Sequence, residues 1–123
     1  MSWMDRQEKN KKSNRHGRVS ESQMMKKLGA TSTPGSGALP SAKSDGFDDA
    51  FQYEHKSTIH KSYGLKLETI RKIEKEALDV GRDPVLSISF VNPTGESIPQ
   101  GDYVVISKEL FQSLVSGDLI KCL

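Results

Sequence analysis

The stretch Lys43-Ser44-Asp45-Gly46-Phe47-Asp48-Asp49-Ala50-Phe51-Gln52-Tyr53-Glu54-His55-Lys56-Ser57-Thr58 decides how the rest of the chain is read. Extended over residues 50–56, it sends Gln52, Glu54 and Lys56 to one side and Phe51, Tyr53 and His55 to the other, because strand side chains alternate. Asp48-Asp49 has the composition of a two-residue turn. It predicts a hairpin pairing Phe47 with Ala50, Gly46 with Phe51 and Asp45 with Gln52. Asp45 then shares a face with Glu54 and Lys56. Two carboxylates and an ammonium gathered there make a site suited to a hard divalent cation, with a lysine left to position a water.

Downstream, Leu67, Ile70, Ile73, Ala77 and Leu78 recur at helical spacing, which predicts a covering helix over about 65–80 closed by Gly81, with Glu68, Lys72, Lys75 and Glu76 on its outside. Pro84 introduces Val85-Leu86-Ser87-Ile88-Ser89-Phe90, an alternating strand pattern, and Asn92-Pro93-Thr94-Gly95-Glu96 is turn chemistry. Asp102–Ile106 reads as a further strand. Ser107 is placed to cap a last helix whose buried edge is Leu110, Phe111, Leu114 and Val115.

Upstream, residues 18–28 carry Met24, Met25 and Leu28 on one stripe, with Ser20 and Gln23 spaced as a capping box and Gly29 as a stop. Glu21 extends that stripe. A carboxylate on a buried stripe is costly unless a cation or donors await it, so Glu21 reads either as part of a site or as a first-turn residue favoured by the helix dipole. The intervening Gly35-Ser36-Gly37 would let backbone amides and a hydroxyl approach a phosphate, or would form a plain flexible loop; it lacks the lysine and spacing of a P-loop.

The chain of 123 residues has room for one core, so a single domain over 18–123 is expected behind an arm over 1–17 that lacks apolar periodicity. Arg6, Lys9, Lys11, Lys12, Arg15, Arg18, Lys26 and Lys27 outnumber Asp5, Glu8 and Glu21 in the first thirty positions, although the whole chain carries only +2. Such an arm holds a polyanion by counterion release, or is a solvated tail; Arg15, Arg18 and Lys43 are the cations nearest the site segments. No apolar run approaches the ~20 residues of a membrane span. The opening residues lack the apolar region of a secretory signal, so the expectation is a cytoplasmic protein with no membrane partner. Cys122 stands alone and reads as a tail residue. His16, His55 and His60 lack the spacing of a zinc pair, and alternation turns His55 away from the carboxylates.

A Glu in a first helix, a Gly-Ser-Gly loop, Lys43-Ser44-Asp45 and Glu54-His55-Lys56 in this order resemble the PD-(D/E)XK nuclease superfamily. Within it the chain is most similar to archaeal-type Holliday junction resolvases and their phage-encoded relatives, over roughly 17–115. The resemblance implies an α/β, restriction-endonuclease-like core: a mixed central sheet flanked by helices, in the order α-β-β-β-α-β. It implies Glu21, Asp45 and Glu54, with the backbone carbonyl of His55, as ligands of Mg²⁺ or Mn²⁺, Lys56 as the catalytic lysine, and Ser36 near the scissile phosphate. Ser44 stands where the family name has Pro. The implied activity is metal-dependent phosphodiester hydrolysis in DNA, by a homodimer acting on four-way junctions. A restriction-like or repair nuclease on duplex or flap DNA, and a non-enzymatic nucleic-acid-binding module, stay open beside it.

Overall fold

A computed structural model describes residues 3–33 and 44–117. The elements in chain order are α1 (Trp3–Leu28), β1 (Thr31–Ser32), β2 (Gly46–Phe47), β3 (Phe51–Thr58), α2 (Leu67–Asp79), β4 (Asp83–Val91), β5 (Ser97–Val105) and α3 (Lys108–Ser116). The five strands form one open sheet in that same order. β3 and β4 are parallel, joined by the α2 crossover, and every other neighbouring pair is antiparallel. The fold is therefore α/β with a mixed sheet flanked by helices.

Alternation along β3 and β4 gives the sheet two different faces. On one, Met24 and Met25 of α1 bury against Tyr53 and Val85; on the other, Ile73 of α2 buries against Leu86 and Ile88. β4 is covered on both sides, and its "smaller" residues Ser87 and Ser89 are among the most buried in the molecule, as expected of a strand with a parallel neighbour and helices on both faces. Gly46 is required by this packing, because a Cβ there would lie 2.3 Å from Met25 Sδ. Gly95, at φ +95°, closes the β4–β5 turn and lets it pass beneath α1, where a Cβ would lie 2.7 Å from the His16 carbonyl oxygen.

Several sequence expectations shift. α1 starts at Trp3 rather than Arg18. α2 buries Ile73 and Ala77, but Leu67 and Leu78 at its ends are 62% and 77% exposed, because the sheet beneath is too narrow to reach them. β5 begins at Ser97, earlier than the alternation in 102–106 suggested. Ser107 does cap α3, its Oγ accepting from Leu110 N at 3.0 Å. Only Leu110 of that helix is buried, however, while Phe111, Leu114 and Val115 face outward.

The hairpin turn also moves by one residue. Asp48 N donates to Phe51 O, so the two-residue loop is Asp49-Ala50, and the pairs are Gly46 with Tyr53 and Phe47 with Gln52. The Asp48 carboxylate decides this: Oδ1 accepts from Ala50 N and Phe51 N at 2.9 and 2.8 Å, and Oδ2 accepts from the Tyr53 hydroxyl at 2.5 Å. An aspartate anchoring the loop from its first flank cannot also be inside it. Moving the loop by one shifts the register by two, which preserves the face of every side chain.

Candidate functional site

Carried one residue beyond Gly46–Tyr53, the register places Asp45 opposite Glu54. β2 stops at Gly46, so beyond Tyr53 the edge of β3 facing β2 receives a side chain in place of a strand. Asp45 Oδ2 accepts from His55 N at 2.8 Å there. In a strand a residue's N–H and C=O project to the same edge, so the His55 carbonyl looks out beside the Asp45 carboxylate.

Asp45 is buried, Glu54 is partly buried, and the two carboxyls are hydrogen-bonded to each other. Burial and then the charge of Asp45 push Glu54 up to about 7, and burial also raises Asp45. Their mutual hydrogen bond raises Glu54 and lowers Asp45. Lys56 Nζ lies 3.7 Å from Glu54 Oε1 and draws both carboxyls downward, without cancelling the effect of burial.

A short polar chain fixes the strand that carries Asp45. Arg82, at the α2–β4 turn, donates to Gln52 Oε1 at 2.9 Å, Gln52 Nε2 donates to Ser44 Oγ at 2.7 Å, and Ser44 Oγ donates to the Gly46 carbonyl at 3.3 Å. The Arg82 guanidinium also sits 4.7 Å above the Phe47 ring. Ser44 is thereby held by hydrogen bonds to Gln52 and to the Gly46 carbonyl.

On the far face His55 is clamped. Its Nε2 and Nδ1 lie 2.8 and 2.7 Å from the hydroxyls of Ser20 and Ser87, and burial holds its imidazole down at about 4. Nearby, the Asp102 carboxylate accepts from Lys27, Ser97 and Ser89, which keep it at about 2 against the opposing effect of burial. These groups tie α1 to β3, β4 and β5 with both ring nitrogens of His55 already engaged.

The residues singled out from sequence thus divide. Asp45, Glu54, Lys56 and the His55 backbone are brought together. Glu21 is half-buried on α1, which packs on the opposite face. Arg15 and Arg18 are exposed on the same helix. Gly35, Ser36, Gly37, Lys43 and Cys122 lie outside the described residues. Among the described residues no three His, Cys, Asp or Glu side chains form a ready metal-holding group.

Lys72 is exposed on α2 as the sequence indicated, whereas Glu76, read as outside, is half-buried. With Thr69 they line a cavity of about 110 Å³ over Glu54 and Lys56, and the Glu76 charge contributes to raising Glu54. The available signal was their spacing: Thr69, Lys72 and Glu76 flank Ile73 one turn apart, on the rim of the buried stripe rather than opposite it. Compared with family models, curated proteins and solved structures, the chain matches none.

Proposed function

We propose that the chain is a metal-dependent DNA endonuclease whose centre is Asp45, Glu54 and Lys56, acting on branched DNA in the manner of a Holliday junction resolvase. The observation that carries the reading is the buried, mutually repelling pair Asp45–Glu54 beside a lysine. As structure alone the pair destabilises the fold, since two carboxyls held together out of water retain a proton near neutrality. A hard cation between them turns that cost into binding energy. The α-β-β-β-α-β succession from α1 to β4 supports the same reading.

Asp45, Glu54 and the His55 carbonyl would hold Mg²⁺ or Mn²⁺, and the bound ion supplies phosphate polarisation and a more acidic water. The chain's own groups do the rest. The His55 N–H keeps the Asp45 carboxylate turned toward the open edge of β3. Glu54, raised by burial and by Asp45, would release its proton to solvent on holding a cation. The Lys56 ammonium, partly exposed next to Glu54, orients the attacking water and steadies charge developing on the phosphate. Cleavage leaves 5′-phosphate and 3′-hydroxyl ends.

A four-way junction needs two symmetric cuts, so one site per chain calls for two chains. The outward side chains Phe111, Leu114 and Val115 of α3 offer apolar surface for that pairing. The reading is tested by incubating the protein with Mg²⁺ and, in parallel, a mobile junction, a flap, a linear duplex and single-stranded DNA. Paired symmetric nicks on the junction support the resolvase; equal cutting of every substrate leaves a general nuclease; no cutting of any, with Mg²⁺ or Mn²⁺, refutes the activity.

A further inference from the structure

A second cavity, of about 480 Å³, opens beyond the ends of the parallel strands β3 and β4, away from the acidic pair. Its walls include His60, Lys61, Phe90, Gln100 and Tyr103. The size falls within the ~300–1,000 Å³ of typical ligand sites. In open α/β sheets, the crevice outside the carboxyl ends of parallel strands is a recurrent binding position.

The sheet register relates this cavity to the acidic site. Lys56 pairs with Ile88 on β4, and Ile88 pairs with Tyr103 on β5, so Lys56 and Tyr103 stand in one row on the same face. Two strand spacings separate them by about 10 Å. Thr58 pairs with Phe90, which puts the second ring one step further along that face. The rings of Phe90 and Tyr103 meet edge to face, with centroids 6.2 Å apart and planes at 89°. This contact fixes Tyr103 while leaving it 57% exposed.

Polar groups at the rim are of one kind. Lys61 and His60 follow β3 in a turn held by the His60 N–H donating to Thr58 Oγ1 at 3.0 Å. Gln100, at φ 55°, brings an amide from the β5 side. Among the described residues no Asp or Glu lines the cavity. An aromatic shelf, an amide and a lysine complement a flat ring carried on an anionic chain. That is the chemistry of a nucleobase stacked on an aromatic side chain with its phosphates neutralised nearby.

We propose that this cavity binds an unstacked nucleobase of the DNA strand whose phosphate lies at Lys56, seating it against Tyr103. The proposal rests on the DNA reading of the Asp45–Glu54–Lys56 site and names what that site prefers: a strand with a base free to leave the helical stack, as at a branch point or single-stranded tail. A distance of about 10 Å corresponds to roughly three steps of a stacked strand at ~3.4 Å each. The seated base is therefore about two or three nucleotides from the cleaved phosphate. A base inside an intact duplex has both faces covered and cannot enter.

The test uses the full chain in chelator, with a duplex carrying a single-stranded tail in which 2-aminopurine replaces one base at a time, and a blunt duplex as control. Wild type and Tyr103→Phe should quench 2-aminopurine at one position. Tyr103→Ala should lose the quenching and bind tailed DNA roughly tenfold more weakly, with blunt-duplex binding unchanged. Tyr103 is exposed on an edge strand, so a folded Ala variant is expected, and circular dichroism checks it. Undiminished quenching and affinity in folded Tyr103→Ala would overturn the base site while leaving the nuclease reading intact. Failure of wild type to bind either DNA would overturn both.

Discussion

Glu54 and Asp45 face each other across the β2–β3 hairpin, and the hydrogen bond between their carboxyls is formed while Asp45 also accepts from the His55 backbone N–H at 2.8 Å. The fold thus immobilises one carboxylate with a main-chain donor and presses a second against it.

That relationship has a pH signature. The pKa of Glu54 rises from an ordinary 4.5 to about 7 on folding, so between these values the folded protein holds a proton that the unfolded chain has released. Stability from this group is fully present below pH 4.5 and is lost as pH rises through about 7. Glu54→Gln should remove that slope and, in chelator at pH 8, make the protein more stable by on the order of 1–2 kcal/mol after allowance for solvent screening. Denaturant melts at pH 5 and pH 8 measure it. A Gln variant less stable than wild type at pH 8 would show the pair to be a net support of the fold.

Asp48 should behave in the opposite way to Asp45. Its carboxylate holds the loop through Ala50 N, Phe51 N and the Tyr53 hydroxyl, so Asp48→Ala should cost about 1–2 kcal/mol. Calorimetric titration with Mn²⁺ should find its metal affinity unchanged, whereas Asp45→Asn should lose binding and keep its stability.

Gly95→Ala is expected to be among the most damaging small substitutions. It combines a left-handed backbone with a Cβ 2.7 Å from the His16 carbonyl oxygen, a combination worth roughly 2–3 kcal/mol. Thermal unfolding should show it, and hydrogen exchange should show α1 loosened around His16 before the sheet opens.

How much of this was legible in the sequence differs from residue to residue. The face shared by Asp45, Glu54 and Lys56 was legible because strand parity survives a turn misplaced by one: the register slips by two. The loop itself was not, since the three bonds of the Asp48 carboxylate depend on backbone geometry that composition does not encode. His55 was rightly turned away from the carboxylates, but its clamp was invisible. Ser20 and Ser87 lie 35 and 32 positions away in sequence. Glu76 was misread because amphipathicity sorts a helix into two sides, while a helix lying on a sheet also has rims that look along the sheet surface. For α3, periodicity identified an apolar face, yet periodicity is silent on whether the same chain covers it.

The basic helix makes a prediction in salt. Arg15 and Arg18 are exposed on α1, and if both meet phosphates, the double variant Arg15→Gln/Arg18→Gln should lower the slope of log affinity against log salt by about 0.9 per lost contact. DNA binding measured across a salt series in chelator gives that slope. An unchanged slope would remove these arginines from the interface.

The most direct measurement of the central claim is cleavage of an end-labelled four-way junction in Mg²⁺ by wild type, Asp45→Asn, Glu54→Gln and Lys56→Ala, each first shown to be folded and to bind the junction in chelator. The account predicts cutting by wild type that stops on adding chelator, and losses of at least about a hundredfold in each variant with junction binding retained. Cutting by Asp45→Asn or Glu54→Gln at the wild-type rate would contradict it.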